Sequence, residues 1–292
     1  MAVTQKSSFG SYSVSANDDI VAEAIHAFQN ANVMSPLVQT AVAGDGAASV
    51  TFVDFTPTAS SSVSSLSEGS EASSIEVAST AHTASIGNYV VRSDITDLAR
   101  LGTAGDLEGD VGANLGQACS LKVDDLLVSL FSGFSQTAAG AGTSLTLDAF
   151  FEAARQLHSA GAPLPFSFVG HSKQIWGSKG LQGLLVATNS STQVADNPIS
   201  ANMLENGYVG KLAGVNIYFS EEINDDVGNG GDAAGGMFSR GALGLGISNA
   251  GLINIETQRD ASYQHDEYIA SVKCGVIEIK DSFGVYILSD VS

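Results

Sequence analysis

The residues of this chain that could do chemistry are five histidines, two cysteines and one run of oxygen donors. His26, His82, His158, His171 and His265 lie far apart, with no HExxH or other paired spacing that would place two imidazoles on one metal. His171 directly precedes Ser172, and a His–Ser pair is the raw material of an activated hydroxyl nucleophile. The strand-to-helix elbow that exposes such a serine needs Gly-x-Ser-x-Gly, and Gly170-His171-Ser172-Lys173-Gln174 lacks it. Ser172 therefore reads as a helix cap, and a Ser/His hydrolase is the weakest functional reading. Cys119 and Cys274 are too few for a disulfide framework or a zinc site and read as two reduced core thiols. The glycines at 112 and 116, and at 241, 244 and 246, do not form a GxGxxG turn followed by an acid, so no nucleotide loop is expected. Glu221, Glu222, Asp225 and Asp226, with Asp232 beyond, offer hard ligands but depart from the calcium-loop pattern. A solvated acidic loop over 221–236 is the favoured reading, with divalent-ion binding as the alternative. No catalytic, cofactor-binding or metal residue is assigned, and the chain is not read as an enzyme.

Composition narrows the classes further. The 292 residues carry 12 basic against 31 acidic side chains, a net charge of −19. So few cations give no electrostatic footprint for a phosphate backbone, which excludes a nucleic-acid binder. Apolar residues at 44% and a mean hydropathy of +0.16 exclude wholesale disorder. No apolar run reaches the length of about 18 residues that a membrane span requires, and the opening MAVTQKSSFGSYSVSANDDI has no apolar signal core. Charged residues are only 15%, against about 25% in ordinary domains, so much of the nominal surface is expected to be covered by partners.

The elements follow from periodicity and capping. Asn17 or Asp18 caps a short amphipathic helix through Ile20, Val21, Ala24, Ile25 and Phe28, within an N-terminal arm. Val50 to Phe55 alternates as a strand, and a second β-prone run covers Ile75 to Val91. Between them, 58–74 holds nine serines in seventeen positions, so the whole reads as a long hairpin with a low-complexity tip. An isolated hairpin is marginal in water, so this one should lie on another subunit. The competing reading is a disordered Ser-rich linker.

Asp110 to Phe134 predicts the longest helix, its apolar face running Leu115, Cys119, Val123, Leu126, Leu130, Phe134, with Lys122, Asp124 and Asp125 off that stripe. Thr146 caps a second helix that buries Phe150, Phe151, Ala154 and Leu157 and stops at Gly161. Phe166 to Val169 is a short strand, Ser172 starts a helix through Trp176 and Leu181, and Ser200 caps another that ends at Gly207. Strands are expected at 215–219, 237–247 and 252–255, and Tyr268 to Leu288 forms a closing pair around a turn at Asp281 to Gly284.

This order of parts resembles the tailed-bacteriophage major capsid protein, with its Hong Kong-phage-type fold. GDVGANLGQACSLKVDDLLVSLF (109–131) resembles the spine helix, and LPFSFVGHSKQIWGSKGLQGL (164–184) the strand and helix that follow. GYVGKLAGVNIYFSEEI (207–223) resembles the strand entering the axial loop, and KCGVIEIKDSFGVYILSD (273–290) the final hairpin. The resemblance implies an α+β fold with an N-terminal arm (1–40), an extended β-hairpin loop (41–92), a peripheral subdomain with the spine helix (93–163, returning at 260–292) and an axial subdomain (164–259). It implies a structural protein of the virion, assembled in the bacterial cytoplasm from pentamers and hexamers into an icosahedral head. Its partners would be copies of itself, with scaffolding, portal and decoration proteins, and double-stranded DNA enclosed without specific binding. A bacterial encapsulin shell is the nearest alternative. Two departures are expected: no long helical pro-segment precedes the arm, and lysine is absent from Ser7 to Leu121, which removes the extended-loop lysine that some relatives cross-link.

Overall fold

The computed structural model describes residues 32–102, 107–177, 179–181, 208–227, 230–249 and 251–292. The expected helices around Ile20 to Phe28 and from Ser200 to Gly207 lie outside these residues.

Thirteen strands and four α-helices fall, among the described residues, into three sheets. The first sheet is organised by β12 (His265–Glu278), whose length lets it serve several partners. Its first half runs between β4 (Gly87–Thr96) and β11 (Ile253–Asp260), and its second half pairs with β10 (Leu243–Ile247). β1 (Gln39–Val42) then joins β10 in parallel. The second sheet has six strands in the order β5 (Thr137–Ala139), β13 (Gly284–Asp290), β9 (Asp232–Ser239), β6 (Phe166–Gly170), β8 (Val215–Phe219), β7 (Tyr208–Leu212). Every residue of β6 is buried, as a central strand covered on both faces requires. The third sheet is the two-stranded hairpin β2 (Ser49–Phe55) and β3 (Ser79–Ser85).

β12 and β13 are not a hairpin, contrary to the expectation for 268–288. A turn at Asp281–Phe283 sends the chain from the first sheet into the second. Asp281 fixes that turn by accepting from the backbone N–H of Ser135 at 2.7 Å, and the Lys280 ammonium lies 4.7 Å from the Phe283 ring centre. The turn therefore answers to the end of the long helix.

That helix, α2 (Leu107–Ser129), follows the short α1 (Asp97–Gly102) and packs on the first sheet. Its buried apolar line is Leu115, Cys119, Val123, Leu127 and Val128, continuing to Phe131 and Phe134; Leu126 and Leu130 are only half-buried. Spacing of four from Leu115 to Phe131, rather than a step of three at 126, rotates the face so that Asp124 is buried too. Phe131 closes this core: its ring stands 5.5 Å from that of Phe238 and fills the space over Gly236.

α3 (Leu147–Ser159) keeps its expected caps. Thr146 accepts from the Ala149 N–H at 3.2 Å. Gly161, at φ +72°, closes the other end: its N–H reaches the His158 carbonyl and the Ala162 N–H that of Leu157. The buried face is Phe150, Ala153 and Leu157; Phe151 is exposed. These residues and Ile175 of α4 (Ser172–Trp176) form the second core, against the six-stranded sheet.

Candidate assembly interface

The hairpin β2–β3 has a seated root and an uncovered tip. At the root, Val50 and Phe52 point inward with Ala84 and meet Ile279, Ala43 and the half-buried Ile277 in a small third core. Alternation puts Thr51, Val53 and Phe55 on the opposite face. The seat exists because glycines lie beneath it. A Cβ on Gly244 would stand 2.9 Å from the Phe52 ring, one on Gly246 3.1 Å from Val50, and one on Gly275 2.2 Å from the Ser85 carbonyl oxygen. Gly246 and Gly275 are register partners in the first sheet, so the glycines form a patch on which another backbone can lie. Lys280 reaches Asp54 at 3.1 Å and fixes the hairpin's angle at its base.

Beyond the root nothing among the described residues covers it. From Phe55 to Ala81 every residue is exposed, a run of 27 (55 to 81 inclusive). Phe55, Val63, Leu66, Ile75 and Val77 lie in that run, with Val63 80% exposed. Strand pairing ends at Phe55–Ser79; Ile75 to Ala78, expected in the second strand, lies outside it. The charge of the projecting segment is one-sided: Asp54, Glu68, Glu71 and Glu76 against no lysine or arginine.

A second exposed apolar group lies at α1, where Leu98 and Leu101 are 80% and 85% exposed. α1 is held by charge rather than by burial. The Arg259 guanidinium beside Asp97 holds that carboxyl below its ordinary range, and Arg100 bridges Glu108 at 2.5 Å and Asp266 at 2.8 Å. Asp94, His265 and Glu267 bring one ligand atom each within 4.8 Å, a grouping that could share an ion among the described residues. Arg92 already supplies a cation there, at 2.7 Å from Asp94 and 2.8 Å from Glu267. The grouping reads as an ion-pair cluster.

The residues singled out for chemistry are brought into structural roles. His171, not Ser172, is the N-cap of α4: its Nδ1 accepts from the Lys173 N–H at 3.1 Å, and Gln174 returns the bond to the His171 N–H. Its other ring nitrogen lies 3.0 Å from Glu221. Both nitrogens are thereby occupied, and neither is turned to the Ser172 hydroxyl. The acidic stretch keeps Glu221, Asn224 and Asp226 exposed but is tied to the body at three points. Asp225 pairs with Lys173, Ile223 is buried, and Asp232, already in β9, accepts from the Gly142 N–H at 2.9 Å. Cys119 and Cys274 are buried free thiols, both pushed up to about 11 by burial, which keeps them protonated and unreactive.

No family model matches the chain, and no curated protein matches it in sequence. Solved structures do. The head structure of Helicobacter pylori bacteriophage KHP40 superposes with a TM-score of 0.64 at 8% identity, covering 90% of this chain and 91% of that one. The capsid of cyanophage P-SCSP1u gives 0.63 at 15% identity, over 90% and 89%. The fold is that of viral capsid proteins. The SrpI encapsulin of Synechococcus elongatus PCC 7942 shares it, at 0.61 and 10% identity over 89% and 88%. The match spans nearly the full length of each capsid chain. The segments assigned by resemblance to peripheral and axial parts share sheets here: β10 and β11 lie in the sheet under α2, while β13 lies in the six-stranded sheet and α3 packs against it.

Proposed function

We propose that the chain is the major coat subunit of a tailed-phage head, a structural protein without enzymatic activity. The observation that carries this reading is the hairpin tip, 27 consecutive exposed residues with five large apolar side chains and a root built to aim it. Burying five such side chains yields about 10 kcal/mol before ordering costs, and none of the described residues supplies the cover. An exposed apolar surface of this kind marks an interaction site, and the capsid fold makes a second copy of the chain the natural partner.

On this reading residues 1–40 are the arm, 41–92 the extended loop, 93–163 with 260–292 the peripheral subdomain and 164–259 the axial one. Copies associate as pentamers and hexamers in the host cytoplasm, with scaffolding, portal and decoration proteins as further partners. A charge of −19 per subunit suits a container for DNA, because like charge keeps the enclosed polymer from adhering to the wall. The shell is held by non-covalent contacts, since no lysine stands between Ser7 and Leu121 to cross-link the extended loop.

The test is the content and chemistry of purified particles. Particles holding double-stranded DNA, whose protein runs after boiling as one band near 29.8 kDa, are expected. Particles filled with a cargo enzyme would establish the encapsulin alternative, and a ladder of covalent multimers would contradict the non-covalent lock.

A further inference from the structure

The long helix buries one carboxylate that shell architecture does not call for. Asp124 is 1% exposed. Its two oxygens accept from consecutive backbone N–H groups, Val33 at 3.0 Å and Met34 at 3.0 Å, where the described chain emerges from the N-terminal segment. Met34 is fully buried in the core below, so this contact fixes where the N-terminal segment meets the body. The clamp is incompletely satisfied. Asn32 Nδ2 and Ser35 Oγ on the clamped segment, and Ser120 Oγ one turn before Asp124, are buried without a hydrogen-bond partner among the described residues. Among the described residues no cation pairs with the carboxylate; Lys122 pairs with Asp125 instead.

We propose that Asp124 is a proton-controlled clamp on residues 33 and 34, one that grips more tightly in mildly acidic than in neutral solution. The sign follows from what the buried charge costs. Desolvation, outweighing the two amide bonds and aided by Glu222, pushes the Asp124 carboxyl up to about 6. The clamped segment contributes no ionisable side chain at 32–35. The loop after β8 contributes Glu222, and the helix itself contributes the Lys122–Asp125 pair, which also acts on Glu222. A released, solvated carboxyl returns toward 3.8. The clamped form therefore binds the proton more tightly, and clamping strengthens as pH falls through 6. Between pH 7.5 and 5 the clamping equilibrium shifts by about tenfold. At neutral pH residues 33 and 34 are therefore held by an ionised group in an apolar setting, and more weakly than in mild acid.

The test uses the unassembled full-length chain, because the contact is internal and its outcome does not depend on shell formation. Hydrogen exchange at the Val33 and Met34 amides is measured as a protection factor, which divides out the intrinsic effect of pH. About tenfold greater protection at pH 5 than at 7.5 is expected, with the difference abolished in Asp124→Asn. Glu222→Gln, which leaves the clamp in place, should raise protection at pH 7.5 and move the midpoint to lower pH. Equal protection at both pH values, the same slope in Asp124→Asn, or an unmoved midpoint in Glu222→Gln would overturn the proposal.

Discussion

Deleting residues 58–74 is expected to leave a folded subunit that no longer forms shells. The cut removes only exposed residues and leaves the paired strands Ser49–Phe55 and Ser79–Ser85, the third core beneath them and the Lys280–Asp54 contact. Shortening the loop changes closure entropy by only about 1.2 kcal/mol, and in the stabilising direction. Circular dichroism of the isolated subunit should therefore match the intact chain, and its thermal midpoint should be no lower. Assembly should not. The deletion takes away Val63 and Leu66 and draws Ile75 and Val77 back toward the root, so the tip loses its reach over a neighbour. Shells of normal size and stability from the deleted chain would show that 58–74 is only a linker.

The largest effect on folding is expected at Phe131. Its ring lies fully buried between Phe134 and Phe238, over the bare backbone of Gly236, where the end of the long helix meets β9 of the six-stranded sheet. Phe131→Ala opens a cavity that the two flanking rings and a glycine backbone are poorly placed to fill. A loss of about 3–5 kcal/mol is expected in urea denaturation of the unassembled subunit. Leu101→Ala, at an 85% exposed position, should stay within about 0.5 kcal/mol. A loss below about 1 kcal/mol at Phe131 would show that the helix end and the second sheet do not share a core.

Much of this architecture was legible in the residues, for reasons that differ by element. α3 could be read nearly to the residue because Thr146 and Gly161 are local signals, satisfied by backbone groups within a turn. The hairpin could be read because alternation over Val50 to Phe55 and the serine-rich tip are both visible in one dimension. α2 was legible as a helix but not in its facing, since Leu126 and Leu127 are equally apolar and only the packing partner chooses between them. Asp124 was lost with that choice: a carboxylate beside an apolar stripe looks solvated until backbone N–H groups from 90 and 91 residues away arrive to meet it. The partners of β12 and β13 were hidden for a related reason. Alternation marks a strand, yet the turn at Asp281 takes its direction from Ser135, which no local pattern records. For the candidate interface, the sequence showed that the hairpin needs cover, while the glycine seat at 244, 246 and 275 needed the sheet register to become visible.

The central claim, that this chain is built to cover itself with copies of itself, is tested most directly by sedimentation velocity of the purified full-length chain, with electron microscopy of the fastest boundary. The account predicts concentration-dependent assembly into megadalton particles, seen as curved shells or tubes. A single boundary at the 29.8 kDa monomer, unchanged as concentration rises, would contradict it.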